Sequence, residues 1–236
     1  ADYEFSSWLK PWVSYFIQRD HNDDSTVLPV FGVAEFEYDS NYLSFGANGS
    51  IGSQFLYGLE MCWESGTGYS TPIISPTGVV QTEEDIDSWA GILNMVYLLQ
   101  DSNSSRIECT LGFGTGDDDR LSSSSTIGGN WPGSPDRAFN SLGYINTGLA
   151  LAPSMTNLLM ARVGANTAIP LDSGQPDDLR VGVDFFVFGK TTTRAPISSP
   201  STNDRFVGWE CDLKLDWRIT SDVSFNFRYG LFVPNG

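Results

Sequence analysis

Residues 207–233 constrain the fold more than any other stretch. Val207, Trp209, Cys211, Leu213, Leu215, Trp217 and Ile219 fall on one parity. Gly208, Glu210, Asp212, Lys214, Asp216 and Arg218 fall on the other. A side-chain period of two gives a β-strand with one apolar and one polar face. The turn Thr220-Ser221-Asp222 follows, and alternation resumes with Val223, Phe225, Phe227, Tyr229, Leu231 and Val233 against Ser224, Asn226, Arg228 and Gly230. The spacing predicts a long hairpin whose two apolar faces coincide. Its first strand runs for about thirteen residues. Soluble strands average about five or six, and a tilted membrane-spanning strand needs roughly 9–11.

Similar alternation recurs upstream. Strands are expected at 8–19, 29–38, 42–48, 54–64, 86–99, 106–115, 155–168 and 179–190. With the closing hairpin this makes ten, and residues 141–152 read equally as an eleventh strand or as a structured loop. Residues 86–99 are apolar on both parities, so a short buried helix competes with a strand there. Pro11 lacks a ladder donor and points to an edge or strand entrance. Loops are expected at 65–85, 116–140 and 191–206, the second too long for an ordinary compact domain. The chain reads as one domain, 1–236: an all-β, antiparallel up-and-down transmembrane β-barrel with about 10–12 recognisable strands. A closing C-terminal strand is missing from this reading, which leaves open whether the chain is a portion of a larger barrel.

Bulk properties exclude several classes. No apolar run reaches 18 residues, so no transmembrane helix is readable, but alternating barrel strands dilute that signal. Net charge is −16, and no basic patch suits a nucleic acid. The acids cluster at Asp23-Asp24, Glu83-Glu84-Asp85, Asp117-Asp118-Asp119 and Asp177-Asp178, and are expected in solvated loops. Trp8, Trp12, Tyr38, Tyr42, Trp63, Trp89, Trp209 and Trp217 lie near predicted strand ends, where an interfacial girdle would place them. Ala1 fits a mature N-terminus after processing.

Catalytic and metal chemistry is weakly signalled. Cys62, Cys109 and Cys211 are an odd count with no CxxC, so they form neither a disulfide framework nor a zinc site. His21 is the only histidine, and no G-x-S-x-G accompanies it. Asp117-Asp118-Asp119 lacks the spaced ligands and distal Glu of an EF-hand loop. GFGTG (112–116) runs into an acidic loop without the Lys of a P-loop. No enzyme, cofactor or metal is expected.

Several segments together resemble the alginate-export (AlgE-like) family of outer-membrane barrels. They are FLYGLEMCWESGTG (55–68), DSWAGILNMVYLL (87–99), SRIECTLGFGTGDDD (105–119) and DRAFNSLGYINTGLALAPSMTNL (136–158). LRVGVDFFVFGKTTTRAP (179–196) and GWECDLKLDWRITSDVSFNFRYGLFVPNG (208–236) carry the resemblance furthest. It implies a porin-like channel of the Gram-negative outer membrane, seated in outer-membrane lipids, through which an anionic saccharide or small polar solute passes passively. It also implies a conduit lined by bases that match carboxylates.

The expected lumen bases are Arg106, Arg162, Arg180, Lys190, Lys214, Arg218 and Arg228, each on the polar parity of its strand. Glu108, Asp184, Glu210, Asp212 and Asp216 share that face and complete the expected solute path, and Glu60 and Glu64 occupy the same face without being assigned to the path. Their charge weakens the positive field that a polyuronate conduit requires. Two other readings stay open. One is a structural or adhesive surface barrel with a plugged lumen, whose acidic loops bind envelope protein partners. The other is a soluble β-sandwich, in which Trp209, Leu213, Leu215, Phe225, Phe227 and Leu231 would be buried against a second sheet.

Overall fold

A computed structural model describes residues 6–20, 26–28, 32–120, 130–141, 143, 145–171, 178–198 and 202–236. His21 lies outside them. Among the described residues there is no helix. Nine long strands form one antiparallel sheet: β1 (Lys10–Gln18), β4 (Tyr38–Ile51), β5 (Phe55–Tyr69), β8 (Glu83–Leu98), β9 (Arg106–Gly114), β10 (Leu158–Pro170), β11 (Asp178–Lys190), β12 (Phe206–Arg218) and β13 (Ser224–Pro234). Each pairs with the next in that order, so the sheet is a meander. Two small hairpins stand in the connections, β2 (Thr26–Leu28) with β3 (Gly32–Ala34), and β6 (Ile73–Ser75) with β7 (Gly78–Val80). β1 and β13 each pair on one side, and Pro11 sits in β1, where its missing N–H costs no ladder bond.

Connections alternate in length. Residues 52–54, 99–105, 171–177 and 219–223 join strands at one rim. Residues 19–37, 70–82, 115–157 and 191–205 join them at the other.

The two faces of the sheet invert the soluble pattern. Leu213, Phe225, Phe227 and Leu231 are 47%, 50%, 47% and 47% exposed, whereas Glu210 and Asp212 on the opposite face are buried. Val163, Val183, Phe185 and Leu111 are exposed on the apolar face as well. The polar face is covered because the long connection 115–157 folds back across it. Phe139 and Met155 from this connection join Tyr42, Ala90, Leu158, Met160, Phe186 and Phe188 in a small apolar cluster on that inner side.

Several sequence expectations are corrected. The predicted strands 29–38 and 42–48 are replaced by the β2–β3 hairpin and one continuous strand, β4. Its glycines hide it in the sequence. A Cβ on Gly46 would come within 2.6 Å of the Trp12 ring, and one on Gly49 within 2.1 Å of the Trp8 carbonyl oxygen. Both positions are close approaches of neighbouring chain, not strand breaks. The predicted loop 65–85 is shorter, since β5 continues to Tyr69 and β8 begins at Glu83. Gly68 continues β5 because the Tyr38 ring lies against it, 2.8 Å from where a Cβ would stand. Glu83, Glu84 and Asp85 are therefore strand residues. The predicted segment 86–99 is a strand through Leu98 and not a helix, and the described residues within 141–152 form a structured loop. The main sheet has nine strands, fewer than the ten to twelve expected.

The aromatic girdle is corrected in part. Trp63 stacks on Trp89 and Trp209 on Phe185 on the apolar face. Tyr38 and Tyr42 are buried on the inner face, and Trp12 stands opposite Gly46 on the same side.

Candidate functional site

The candidate site is the inner, polar face of the sheet together with the segment that crosses it. Strand parity aims Glu64 of β5 inward. Its Oε1 accepts the hydroxyls of Tyr38 (2.7 Å) and Tyr42 (2.9 Å). Its Oε2 accepts the Ser88 hydroxyl (2.7 Å) and the backbone N–H of Asn140 (2.8 Å). A buried carboxylate with four donors is fully satisfied. Asn140 belongs to the inward segment, so Glu64 pins that segment to the wall.

Glu210 of β12 makes the second pin. Its Oε1 accepts the N–H groups of Leu149 (2.6 Å) and Ala150 (2.7 Å), and its Oε2 that of Leu151 (2.8 Å). The Leu149 N–H also reaches Asp212 Oδ2 at 3.1 Å. Three successive N–H groups converging on one carboxylate form a backbone nest. Gly148, at φ +101°, begins it. The inward segment thus spans the sheet between β5 and β12.

A third anchor stands at its exit. Asn157, buried and at φ +55°, donates from Nδ2 to the carbonyls of Thr192 (3.0 Å), Ala195 (2.9 Å) and Pro196 (3.1 Å). Its Oδ1 accepts the Thr192 N–H at 2.8 Å. This ties the connection 115–157 to the connection 191–205. At the entrance, the buried Arg120 pairs with Asp136, whose Oδ1 also accepts the Ala138 N–H at 3.0 Å. Asp117, expected in solvent, is buried and accepts the N–H groups of Asp119 (2.8 Å) and Arg137 (2.7 Å).

The remaining charges form a belt towards the short-turn rim. Arg106 Nε lies 2.7 Å from Glu108 Oε1. Arg162 Nη2 lies 2.7 Å from both Glu108 Oε2 and Asp184 Oδ1. Lys214 pairs with the other oxygen of Asp184, and Arg228 Nη2 lies 2.6 Å from Asp216 Oδ1. Arg180 lines the same pocket, a space of about 140 Å³. Five bases, Arg106, Arg162, Arg180, Lys214 and Arg228, face three acids, Glu108, Asp184 and Asp216.

A larger cavity of about 680 Å³ separates the inward segment from the wall. Phe16, Tyr42, Ser44, Glu60, Asn94 and Thr110 line its wall side, and Phe139, Ile145, Asn146 and Met155 the segment side. Arg162 lines both this cavity and the charged pocket. Its Nε is buried without a hydrogen-bond partner among the described residues.

Three of the twelve residues expected along a solute path are placed otherwise. Glu210 and Asp212 are covered by the inward segment they hold. Lys190 is buried and caps carbonyls of the connection 191–205, donating to Thr193 (2.8 Å), Ala195 (3.3 Å) and Thr202 (2.5 Å). Each keeps its predicted parity, but a folded connection occupies the space in front of it. Arg218 is exposed at the end of β12, beside the turn 219–223. Sequence reasoning did not foresee Asn157, Gly148 or the tyrosine pair on Glu64 as anchors. Two-residue periodicity reports which face a residue occupies, not what folds over it. Neither a family model nor a curated protein matches this chain.

Proposed function

We propose that the chain forms the wall of a porin-like β-barrel in a Gram-negative outer membrane, and that it conducts small polar solutes, anionic ones in preference, without catalysis. The observation that carries the reading is the inversion of burial: large apolar side chains are exposed on one face while ionisable groups are buried on the other. Water does not stabilise such a face, and lipid does. The dimensions agree. Val207 and Trp217 span about 33 Å along a strand at roughly 3.3 Å per residue. A tilt of about 40° reduces this to about 25 Å, the height of the apolar band of outer-membrane barrels. The alternation of short and long connections fits periplasmic turns and extracellular loops.

Solute choice follows from which charges stay available. Glu64, Glu210 and Asp212 are engaged by backbone and hydroxyl donors of the inward segment and its neighbours. The belt is then richer in bases than acids, which favours carboxylate-bearing solutes such as short oligouronates. The inward segment narrows the path to the 680 Å³ cavity, a size that suits one or two sugar rings.

The test is single-channel conductance of detergent-folded protein in a planar bilayer, with and without oligouronate. Discrete openings that the oligomer blocks support the reading. Arg218→Glu with Arg228→Glu is expected to shift selectivity towards cations, and unchanged selectivity would remove the belt from the solute path. A plugged structural barrel is favoured by the same pinned segment. It would stay silent in the bilayer even when Glu210→Ala releases the pin. Solubility without detergent would return the chain to a sandwich.

A further inference from the structure

The apolar face is not uniform. One cross-strand row reads Met61, Gly91, Phe113, Leu159, Gly189 and Phe206, each paired with the next across β5, β8, β9, β10, β11 and β12. The neighbouring row contains Leu59, Leu93, Leu111, Ala161 and Val187. Two glycines and an alanine stand among bulky residues, so the surface dips. Met61 and Phe113 lie flat across the sheet over Gly91, since a Cβ there would come within 2.6 Å of both Met61 Sδ and Phe113 Cε1. The result is a groove of about 660 Å³ on the outward side.

The groove has one charged residue in its lining. Arg205 immediately precedes Phe206 at the long-connection rim, and it is exposed. Its backbone carbonyl accepts the Lys190 N–H at 2.8 Å, which fixes its position against the end of β11. Among the described residues its guanidinium has no ion pair or side-chain hydrogen bond. Asp204 beside it turns elsewhere, towards the Thr202 hydroxyl at 3.2 Å. A cation without a partner at the mouth of an apolar trough matches an amphiphile with an acyl chain and an anionic head.

We infer that this groove binds one anionic lipid of the surrounding bilayer, its chain lying over Ala161 and between Phe113 and Phe206 and its phosphate on Arg205. The inference rests on the membrane reading above. An Arg at the interface attracts anionic headgroups, and its planar fork suits a phosphate. The row that ends in Phe206 lies one residue inside Arg205, so a chain can enter the groove while its head stays in the polar layer.

Native mass spectrometry on the detergent-solubilised full chain tests this, with phosphatidylglycerol and phosphatidylcholine of identical chains as probes. One tightly retained phosphatidylglycerol per protein is expected, with phosphatidylcholine weaker. Arg205→Glu should lower phosphatidylglycerol retention about fivefold or more and abolish the headgroup preference. Ala161→Phe fills the trough and should lower retention of both lipids. Equal retention of the two lipids by the unaltered protein, or no effect of Arg205→Glu, would overturn the proposal while the membrane reading stands. A chain that stays soluble without detergent would instead remove the membrane reading itself.

Discussion

Gly148 lies directly against Glu210: a Cβ at Gly148 would stand 2.5 Å from Oε1 and 2.8 Å from Cδ. The positive φ of +101° adds a second constraint, since L-residues with a side chain rarely adopt it. Any side chain there would push the Leu149–Leu151 nest off its carboxylate. Gly148→Ala is expected to cost about 2–3 kcal/mol of stability through strain and lost donors. It should also enlarge single-channel conductance, because the inward segment loses its β12 pin. Heat-induced unfolding in detergent and bilayer recordings read the two effects separately. Unchanged conductance together with lowered stability would show that the segment does not narrow the path.

Glu64 is the opposite pin, and its chemistry predicts an unusual intolerance to an isosteric change. Each oxygen accepts two donors, so all of its acceptor capacity is used on the inner face. Glu64→Gln replaces one oxygen with an amide: placed towards Asn140 it sets hydrogens against a backbone N–H, and placed towards Tyr38 and Tyr42 it makes both hydroxyls turn away from it to accept. A loss of about 2–4 kcal/mol is expected. Tyr38→Phe removes one donor of four and should cost about 1–2 kcal/mol. A Glu64→Gln variant as stable as the parent would show that the hydroxyls reorient around a neutral side chain and that the pin does not need a carboxylate.

The sheet was largely legible in the chain because alternation alone specifies it. The closing hairpin forms with its two apolar faces coincident, as expected, and pairs Trp209 with Val233 and Trp217 with Phe225. What was not legible was what lies in front of the polar face. Glu210 and Asp184 look alike in the sequence, each an acid between apolar residues of a long strand. One binds the backbone of a segment about 60 positions away, the other a salt-bridged belt. Burial by a distant connection leaves no periodic trace. Gly46, Gly49 and Gly68 misled in the other direction. They resemble breakers, yet each lets a neighbouring chain or ring approach within a strand.

The turn 99–105 carries a local pH dependence. The Ser105 hydroxyl donates to Asp101 Oδ2 at 2.6 Å and the Ser105 N–H to Oδ1 at 2.7 Å. These bonds, the hydroxyl's first, hold the Asp101 carboxyl below the usual carboxylate range. A depressed carboxyl contributes stability that is present above its unfolded value and is lost as pH falls through the folded one. Protection of the Ser105 amide, taken relative to its intrinsic exchange rate at each pH, is therefore expected to be high at neutral pH and to fall as pH drops below that range. In Asp101→Asn the protection should be low throughout and insensitive to this titration. A parent protein with no such acid-dependent loss of protection would dissociate the turn from Asp101.

Arg162 holds the charge belt together, and its removal separates structure from conduction. It bridges Glu108 and Asp184, and its side chain is 12% exposed. The Phe186 ring lies 6.0 Å from its guanidinium carbon. Arg162→Gln strands two partly buried carboxylates, although Arg106 still contacts Glu108 and Lys214 still contacts Asp184. The expected cost is about 2–3 kcal/mol, below the figure for an isolated buried pair because those partners remain. Adding Glu108→Gln removes one stranded charge and should recover roughly half of the lost stability. The electrical readout behaves differently. Arg162→Gln should move the reversal potential towards cations, and Glu108→Gln on top of it should move it back by removing a negative charge from the same wall. A double variant whose stability recovers while its selectivity stays with the single variant would place Arg162 on the solute path and Glu108 off it. No shift in either variant would confine the pair to holding the wall.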